Sequence, residues 1–238
     1  MAARLGTDED AARRPRTLVT GVHGSIGDAI ALRLREDGHA PVLVGHAPLT
    51  SKGDVNVDFT DLPALSRAVE NIASPIRHVV VSHGMLLPGP LERVDVEEWQ
   101  RMLSANLTSA YAIIRAARPK LGSGSSIVVI SSTAAFDHSP VGGPHYTVSK
   151  WGLNGLVRHL SDELGPAGIR INAVCPGFVN NPMGHAFLEK KDIDRAIETI
   201  PLRRAGRPDE VASVVSFLLG DDASYITGAA IPVSGGFQ

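Results

Sequence analysis

Apolar residues along this chain fall into short β-branched runs that alternate with longer stretches of helical spacing. The run "TLVTG" (17–21) precedes Ile26, Ala29, Ile30, Leu32 and Leu34 within 26–37, a spacing that suits a helix lying on a sheet and closed by Gly38. "PVLVG" (41–45) and "DVNVD" (54–58) read as the second and third strands. Asp61 then caps a helix reaching about Ile72, with Pro63 in its first turn, where a missing N–H is harmless. "HVVVS" (78–82) shows no alternation, as expected of a strand covered on both faces. A long helix over about 95–118 is stopped by Pro119, and "SSIVVISS" (125–132) is the fifth strand. A helix over 145–164 ends at Gly165-Pro166, and "IRINAV" (169–174) is the sixth strand. Residues 183–199 read as a mobile helical flap, 208–219 as a helix and "AAIPV" (229–233) as the last strand. Apolar strands separated by helices imply a parallel sheet of about seven strands covered on both sides, a doubly wound α/β domain.

One connection is short. Eight residues, His46 to Gly53, separate strands two and three. A parallel crossover ordinarily takes a dozen or more, so the helix expected there is reduced to a turn or missing.

Composition narrows the class. With 238 residues and 43% hydrophobic content, the chain fits one domain over 16–238 behind a mixed-charge, flexible leader at 1–15. A net charge of −2 without any Lys/Arg run argues against nucleic acid as a partner. No apolar run approaches the ~18–20 residues of a membrane span, and the leader lacks the apolar core of a signal peptide. Cys175 is the single cysteine, which excludes an internal disulfide and points to a soluble, cytoplasmic protein.

Chemistry concentrates in a few places. In "TGVHGSIG" (20–27), Gly21, Gly24 and Gly27 lie between the first strand and the first helix. Such a turn lets backbone N–H groups approach a pyrophosphate at a helix N-terminus, although glycines also punctuate ordinary turns. In "YTVSK", Tyr146 and Lys150 stand at i and i+4 on one helical face. A phenol titrates near 10 when free, and an adjacent ammonium lowers that value into a usable acid/base range. Ser131, Ser132 and Thr133 end the fifth strand, where parallel sheets present residues to ligands. Asn106 falls inside a predicted helix, a disfavoured position for a side chain that competes for backbone hydrogen bonds.

Together, Tyr146-x3-Lys150, the upstream serine, Asn106 and the glycine turn resemble the short-chain dehydrogenase/reductase family. "NAVCPG" (172–177), "RAGRPDEVA" (204–212) and "YITGAAIPVSGG" (225–236) resemble further blocks of its classical branch, in the same order. The resemblance runs from about Arg16 to Gln238 and implies a Rossmann-type domain with an Asn106-Ser132-Tyr146-Lys150 tetrad. It implies that Tyr146 exchanges a proton with the substrate oxygen, Lys150 lowers its pKa and holds the nicotinamide ribose, Ser132 fixes that oxygen, and Asn106 holds a relay water. The implied dinucleotide contacts are Gly21, His23, Gly24, Ser25, Ile26 and Gly27 in the turn, with His46, Asp58 and Phe59 at the ends of strands two and three. Ser82, His83 and Gly84 after strand four, Tyr146 and Lys150, and Pro176, Gly177 and Val179 after strand six complete them. No metal is implied. Cys175 reads as a buried small residue and His145 as pocket lining.

The chain also departs from the family pattern. Ser25 stands where a glycine is usual and Gly24 precedes it, a spacing closer to the family's extended branch. Val81-Ser82-His83-Gly84 replaces the frequent Asn-Asn-Ala-Gly, and Asn181 stands where a threonine is frequent. The interval from Ser132 to Tyr146 is one residue longer than usual, which leaves Thr133 as a rival for the serine's place.

An acid ending the second strand ordinarily reads the adenine ribose 2′-OH and repels a 2′-phosphate. Here the strand ends Val44-Gly45-His46, with no carboxylate until Asp54, and Ser51, Lys52, His46 and His23 could receive a phosphate. NADP(H) is therefore expected over NAD(H), the competing explanation being an adenosine end left loosely read by the short connection. The expected function is an oxidoreductase moving a hydride between NADP(H) and a carbonyl/secondary-alcohol pair. A silent dinucleotide sensor and a non-redox epimerase or dehydratase remain the alternatives. The flap around 182–205, with Met183, His185, Phe187 and Leu188, together with 86–93 and 134–145, is expected to shape the substrate pocket, while Lys190, Lys191 and Arg195 face water. The resemblance further implies a homotetramer or homodimer assembled through the helices at 95–118 and 145–164.

Overall fold

The first apolar run forms β1 (Arg16–Thr20), and the glycine turn leads directly into α1 (Ser25–Glu36). The computed structural model describes residues 14–46, 54–182 and 187–237. Its further strands are β2 (Ala40–Gly45), β3 (Val55–Asn56), β4 (His78–Val81), β5 (Ser126–Ile130), β6 (Arg170–Pro176) and β7 (Ala230–Val233). They pair in parallel in the order β3-β2-β1-β4-β5-β6-β7, a Rossmann-like doubly wound sheet. The ladder extends one residue before β1, because the Ala40 N–H donates to the Pro15 carbonyl.

Alternation along each strand divides the core into two. Leu18, Val79, Val81, Ile127, Val129 and Ile171 face one side, where α2 (Leu62–Glu70), α4 (Ser109–Ala117) and α5 (Pro144–Leu164) cover them. Val19, Leu43, Val80, Val128 and Val174 face the other, under α1 and α7 (Pro208–Leu219). Each fully buried Val or Ile contributes about 1.5–3 kcal/mol, so both faces are strongly committed to this register.

Three elements differ from the sequence expectation. The third strand contracts from 54–58 to two residues because its flanking aspartates turn to other partners. Asp54 Oδ1 accepts the Leu43 N–H at 3.0 Å, and Asp58 Oδ1 accepts from the Thr60 N–H and hydroxyl in a local turn. The long helix expected at 95–118 runs through, but with a π segment inside it. Asp95 caps α3 (Val96–Leu103), a π segment spans Ser104–Thr108, and α4 resumes at Ser109. Of the flap, α6 (Lys190–Thr199) is a helix, while 183–186 lie outside the described residues, as do the shortened connection at 47–53 and leader residues 1–13. Among the described residues no helix is long and apolar enough to cross a membrane.

Candidate active site

Chain direction across the sheet reverses between β1 and β4, the point at which doubly wound folds open a crevice beyond the strand C-termini. There the structure has a cavity of about 1060 Å³, lined by every dinucleotide contact expected from the sequence, from the glycine turn to Val179. Ser132, Tyr146 and Lys150 of the expected tetrad line it too. Asn106 stands just behind the wall.

Two glycines in the turn have steric reasons. Gly21 has φ +74°, and a Cβ on it would meet the His83 backbone nitrogen at 2.5 Å. A Cβ on Gly27 would stand 2.2 Å from the Gly21 carbonyl oxygen. Helix α1 is thus pulled against the turn, and its first N–H groups point at the crevice. Gly24, by contrast, would hold a Cβ at ordinary contact distance, 3.4 Å from the Gly21 carbonyl oxygen, and serves as the α1 N-cap. Ser25, the departure from the family glycine, opens the helix and lines the cavity.

His83 is turned inward rather than toward a ligand. Its Nε2 is 2.7 Å from Ser109 Oγ, its Nδ1 2.8 Å from Thr20 Oγ1, and its ring stacks on Phe59 at 4.1 Å between centroids. The tautomer follows from the partners. The Ser109 hydroxyl donates to the Ala105 carbonyl, so Ser109 Oγ must accept the Nε2–H, and Nδ1 accepts the Thr20 hydroxyl hydrogen. Burial holds this imidazole neutral, with its pKa pushed down to about 3 and Lys150 adding repulsion. Neither Thr20 nor Ser109 was singled out in the sequence; the available signal was a polar residue closing an otherwise apolar strand.

At the far end of the cavity, Tyr146 and Lys150 share one face of α5 as their spacing predicts. The Lys150 Nζ donates to the Ile130 carbonyl at 3.1 Å and lies 5.7 Å from the Tyr146 ring centroid. Burial lowers its pKa to about 8, and Cys175 raises it slightly against that trend. The expectation that the ammonium lowers the phenol's pKa is corrected. Burial raises the Tyr146 value, and the opposing pull comes from a hydrogen bond with Ser132. Ser132, not Thr133, meets the phenol. Its own Oγ also accepts the Ala134 N–H at 3.1 Å, which fixes the turn after β5.

Asn106 owes its place to the π segment, which turns a helical side chain into the fold. Its Oδ1 accepts the Met85 N–H at 2.8 Å, and its Nδ2 donates to the Met85 carbonyl at 2.9 Å and to Ser149 Oγ at 3.1 Å. These bonds make it a clamp on the loop after β4. A Cβ on Gly84 would touch both Asn106 Oδ1 and Lys150 Nζ, so the three groups are immediate neighbours.

His145 is also a correction. It does not line the cavity but is fully buried, with Nε2 3.1 Å from Glu98 Oε1 on α3. One residue along a helix turns the side chain by about 100°, away from the Tyr146 face. Cys175 is buried with its thiol raised by desolvation, the environment of an inert packing residue. Leu188 and Asn181 line the cavity, Phe187 is exposed, and Met183 and His185 lie outside the described residues. Val141, from the expected 134–145, and Asp192 and Ile200, from the flap, line it as well; Phe237 also lines it without having been singled out.

The residues fit a dinucleotide. Ser82 Oγ is buried on the cavity wall without a protein partner among the described residues, and neither Gly21 nor Gly27 admits a Cβ. A family model described as enoyl-(acyl carrier protein) reductase matches residues 21–238. The 3-oxoacyl-[acyl-carrier-protein] reductase MabA of Mycobacterium tuberculosis is 37% identical over 229 residues, covering 92% of this chain and 91% of that protein. The (3R)-3-hydroxyacyl-CoA dehydrogenase of Rattus norvegicus is 34% identical over 251 residues, covering 94% and 96%. A blue fluorescent protein from a metagenomic library, solved in complex with NADPH, superposes with a TM-score of 0.85 at 28% identity, covering 94% of this chain and 97% of that one. The chain belongs to the short-chain dehydrogenase/reductase family of oxidoreductases.

Proposed function

We propose that this chain is an NADP(H)-dependent reductase of carbonyl compounds, or a dehydrogenase of the corresponding secondary alcohols, with Tyr146 as the proton donor and acceptor. The observation that carries the reading is the wall shared by Tyr146, Ser132 and Lys150 in the cavity that begins at the glycine turn. A bound nicotinamide dinucleotide supplies the hydride to the carbonyl carbon in reduction and takes it back in oxidation. Ser132 and the Tyr146 hydroxyl both address the substrate oxygen, Ser132 orienting it and Tyr146 delivering the proton as the carbonyl π bond opens. Burial raises the phenol's pKa and keeps it protonated, the form that donates in reduction. Lys150, anchored to the Ile130 carbonyl, places a positive charge beside the alkoxide that develops, and would be the residue to hold the nicotinamide ribose of a bound cofactor. Asn106 acts on this wall through Met85, keeping the loop after β4 against it.

NADP(H) is favoured because the end of β2 carries His46 in place of an acid, while Asp54 is engaged by the Leu43 N–H. The NADPH held by the blue fluorescent neighbour supports the same preference. Leu86, Pro140, Val141, Leu188, Ile200 and Phe237 give the substrate end an apolar lining suited to an acyl or ring portion. The relatives named for 3-oxoacyl and 3-hydroxyacyl compounds make an acyl thioester the first candidate to assay. Exposed Tyr111 on α4 and Val148 and Trp151 on α5 supply a face for assembly into a homodimer or homotetramer. A cytoplasmic setting fits the single, buried Cys175.

Initial rates with NADPH and NADH against a carbonyl panel that includes 3-oxoacyl thioesters test the reading. Tyr146→Phe is expected to lower turnover by about 10²–10⁴ while NADPH still binds, as followed by its fluorescence. Retained turnover in that variant overturns the acid/base role. Hydride transfer that strongly prefers NADH overturns the 2′-phosphate reading, and binding without turnover favours a sensor.

A further inference from the structure

His23, in the β1–α1 turn, and His46, at the C-terminal end of β2, meet edge to face with ring centroids 5.1 Å apart. Both are exposed, and both line the end of the cavity where strand β2 meets the adenine ribose in doubly wound folds. We propose that this pair is a proton-gated receptor for the 2′-phosphate, so that the preference for NADP over NAD depends on pH. The inference rests on the NADP(H) reading and adds the chemistry by which the phosphate is held.

The described residues lining this end carry four ionisable side chains, His23, His46, His83 and Asp58. His83 contributes no cation, since its ring nitrogens are committed to Thr20 and Ser109 and burial holds it neutral. Asp58 is an anion, kept below the usual carboxylate range by the Thr60 N–H and hydroxyl. His46 lies close enough to hold that anion down further, and the anion itself repels a phosphate. Asp54, between β2 and β3, is turned to the Leu43 N–H. Positive charge on this wall therefore comes, among the described residues, from His23 and His46 alone. Histidine is the side chain whose charge ordinarily changes between about pH 5 and 8, whereas the arginine or lysine that could serve here stays charged throughout. Two imidazolium ions about 5 Å apart repel each other by close to 1 kcal/mol even in water. A phosphate dianion lying across both rings reverses that sign. Phosphate binding and proton uptake are accordingly coupled, and each favours the other. The phosphomonoester becomes a dianion only above about pH 6, so the grip is greatest between about pH 6 and 7 and decays above.

Titration calorimetry of the full chain with adenosine 2′,5′-bisphosphate and with 5′-AMP, which differ only in the 2′-phosphate, tests this without any substrate. The expected affinity ratio is at least about tenfold near pH 6.5, shrinking to under about threefold near pH 8.5. Heats measured in buffers of different ionisation enthalpy are expected to show net proton uptake for the bisphosphate and none for 5′-AMP. His46→Gln and His23→Gln are each expected to flatten the pH dependence of the ratio. A ratio that stays high and constant from about pH 6.5 to 8.5 overturns the proposal while sparing the NADP(H) reading, and its loss in Lys52→Ala identifies a permanent cation as the receptor. A ratio near one at every pH overturns both.

Discussion

Lys150 is a buried cation, and its replacement by methionine measures what the fold gives up to keep it. The side chain is 5% exposed, and burial lowers its pKa from 10.5 to about 8. The unfolded ammonium keeps its proton up to about 10.5 while the folded one releases it near 8, so between those values the unfolded chain binds more protons and stability rises with pH. Below 8 the penalty is complete, and the shift is equivalent to about 3 kcal/mol. Methionine fills a similar volume without charge, but leaves the Ile130 carbonyl without the Nζ–H, which costs about 1 kcal/mol. Lys150→Met is therefore expected to unfold at higher urea near neutral pH, by about 2 kcal/mol, although it abolishes turnover under the proposed mechanism. The gap has a pH signature. Groups elsewhere titrate alike in both proteins, so the advantage must shrink through about pH 8–10 and approach zero near about 9.5. Urea denaturation at neutral and alkaline pH reads both quantities. A variant no more stable than the parent at neutral pH, or a gap that does not narrow, refutes the reasoning.

Gly27→Ala places a Cβ 2.2 Å from the Gly21 carbonyl oxygen. Overpacking of about 1–3 kcal/mol then outweighs the roughly 1 kcal/mol that alanine gains in a helix, so the variant is expected to unfold at lower urea and, with its glycine turn displaced, to bind NADPH more weakly than the parent. Gly24→Ser, with ordinary space at 3.4 Å, is the contrasting variant and is expected to keep its urea midpoint; equal behaviour of the two contradicts the steric argument. His78 and His83 are both pushed down to about 3 by burial, so the unfolded chain, titrating near 6.5, binds more protons below that value. Stability is complete above about pH 6.5 and falls by up to about 1.4 kcal/mol per pH unit for each histidine as pH drops toward 3, and a flat profile between about pH 7.5 and 5 contradicts it. Tyr111→Arg with Trp151→Arg is expected to reduce the sedimenting species to a smaller one without unfolding, and an unchanged sedimentation coefficient removes that face from the assembly.

The layers were legible because sheet and helix periods differ so plainly here. Val79-Val80-Val81 could only be a strand covered twice, and the structure sends its side chains alternately to the two cores. Tyr146 and Lys150 could be placed on one wall from their spacing alone. What the spacing could not supply was the environment. Pairing the two groups on a helix suggested mutual charge stabilisation, but the cavity wall is dry enough that burial moves both toward their neutral forms, the phenol up and the amine down. His145 failed for a related reason. Adjacency in sequence suggested adjacency at the wall, whereas helical rotation sends positions 145 and 149 together toward α3 and the π segment, where they meet Glu98 and Asn106. Asn106 itself was the one visible sign of that segment. A polar side chain with four possible hydrogen bonds is disfavoured mid-helix, and here the helix widens into a π turn around it. From that turn one amide holds both backbone groups of Met85. His83 completes the same logic from the other side, since Ser109, which begins the helix after the π segment, is also its partner. The departure at His83, a histidine for a small residue, and the disfavoured polar residue in a helix therefore belong to one connected set of bonds. It runs from Thr20 through His83 and Ser109 to the segment carrying Asn106, and ties the phosphate turn to the catalytic wall.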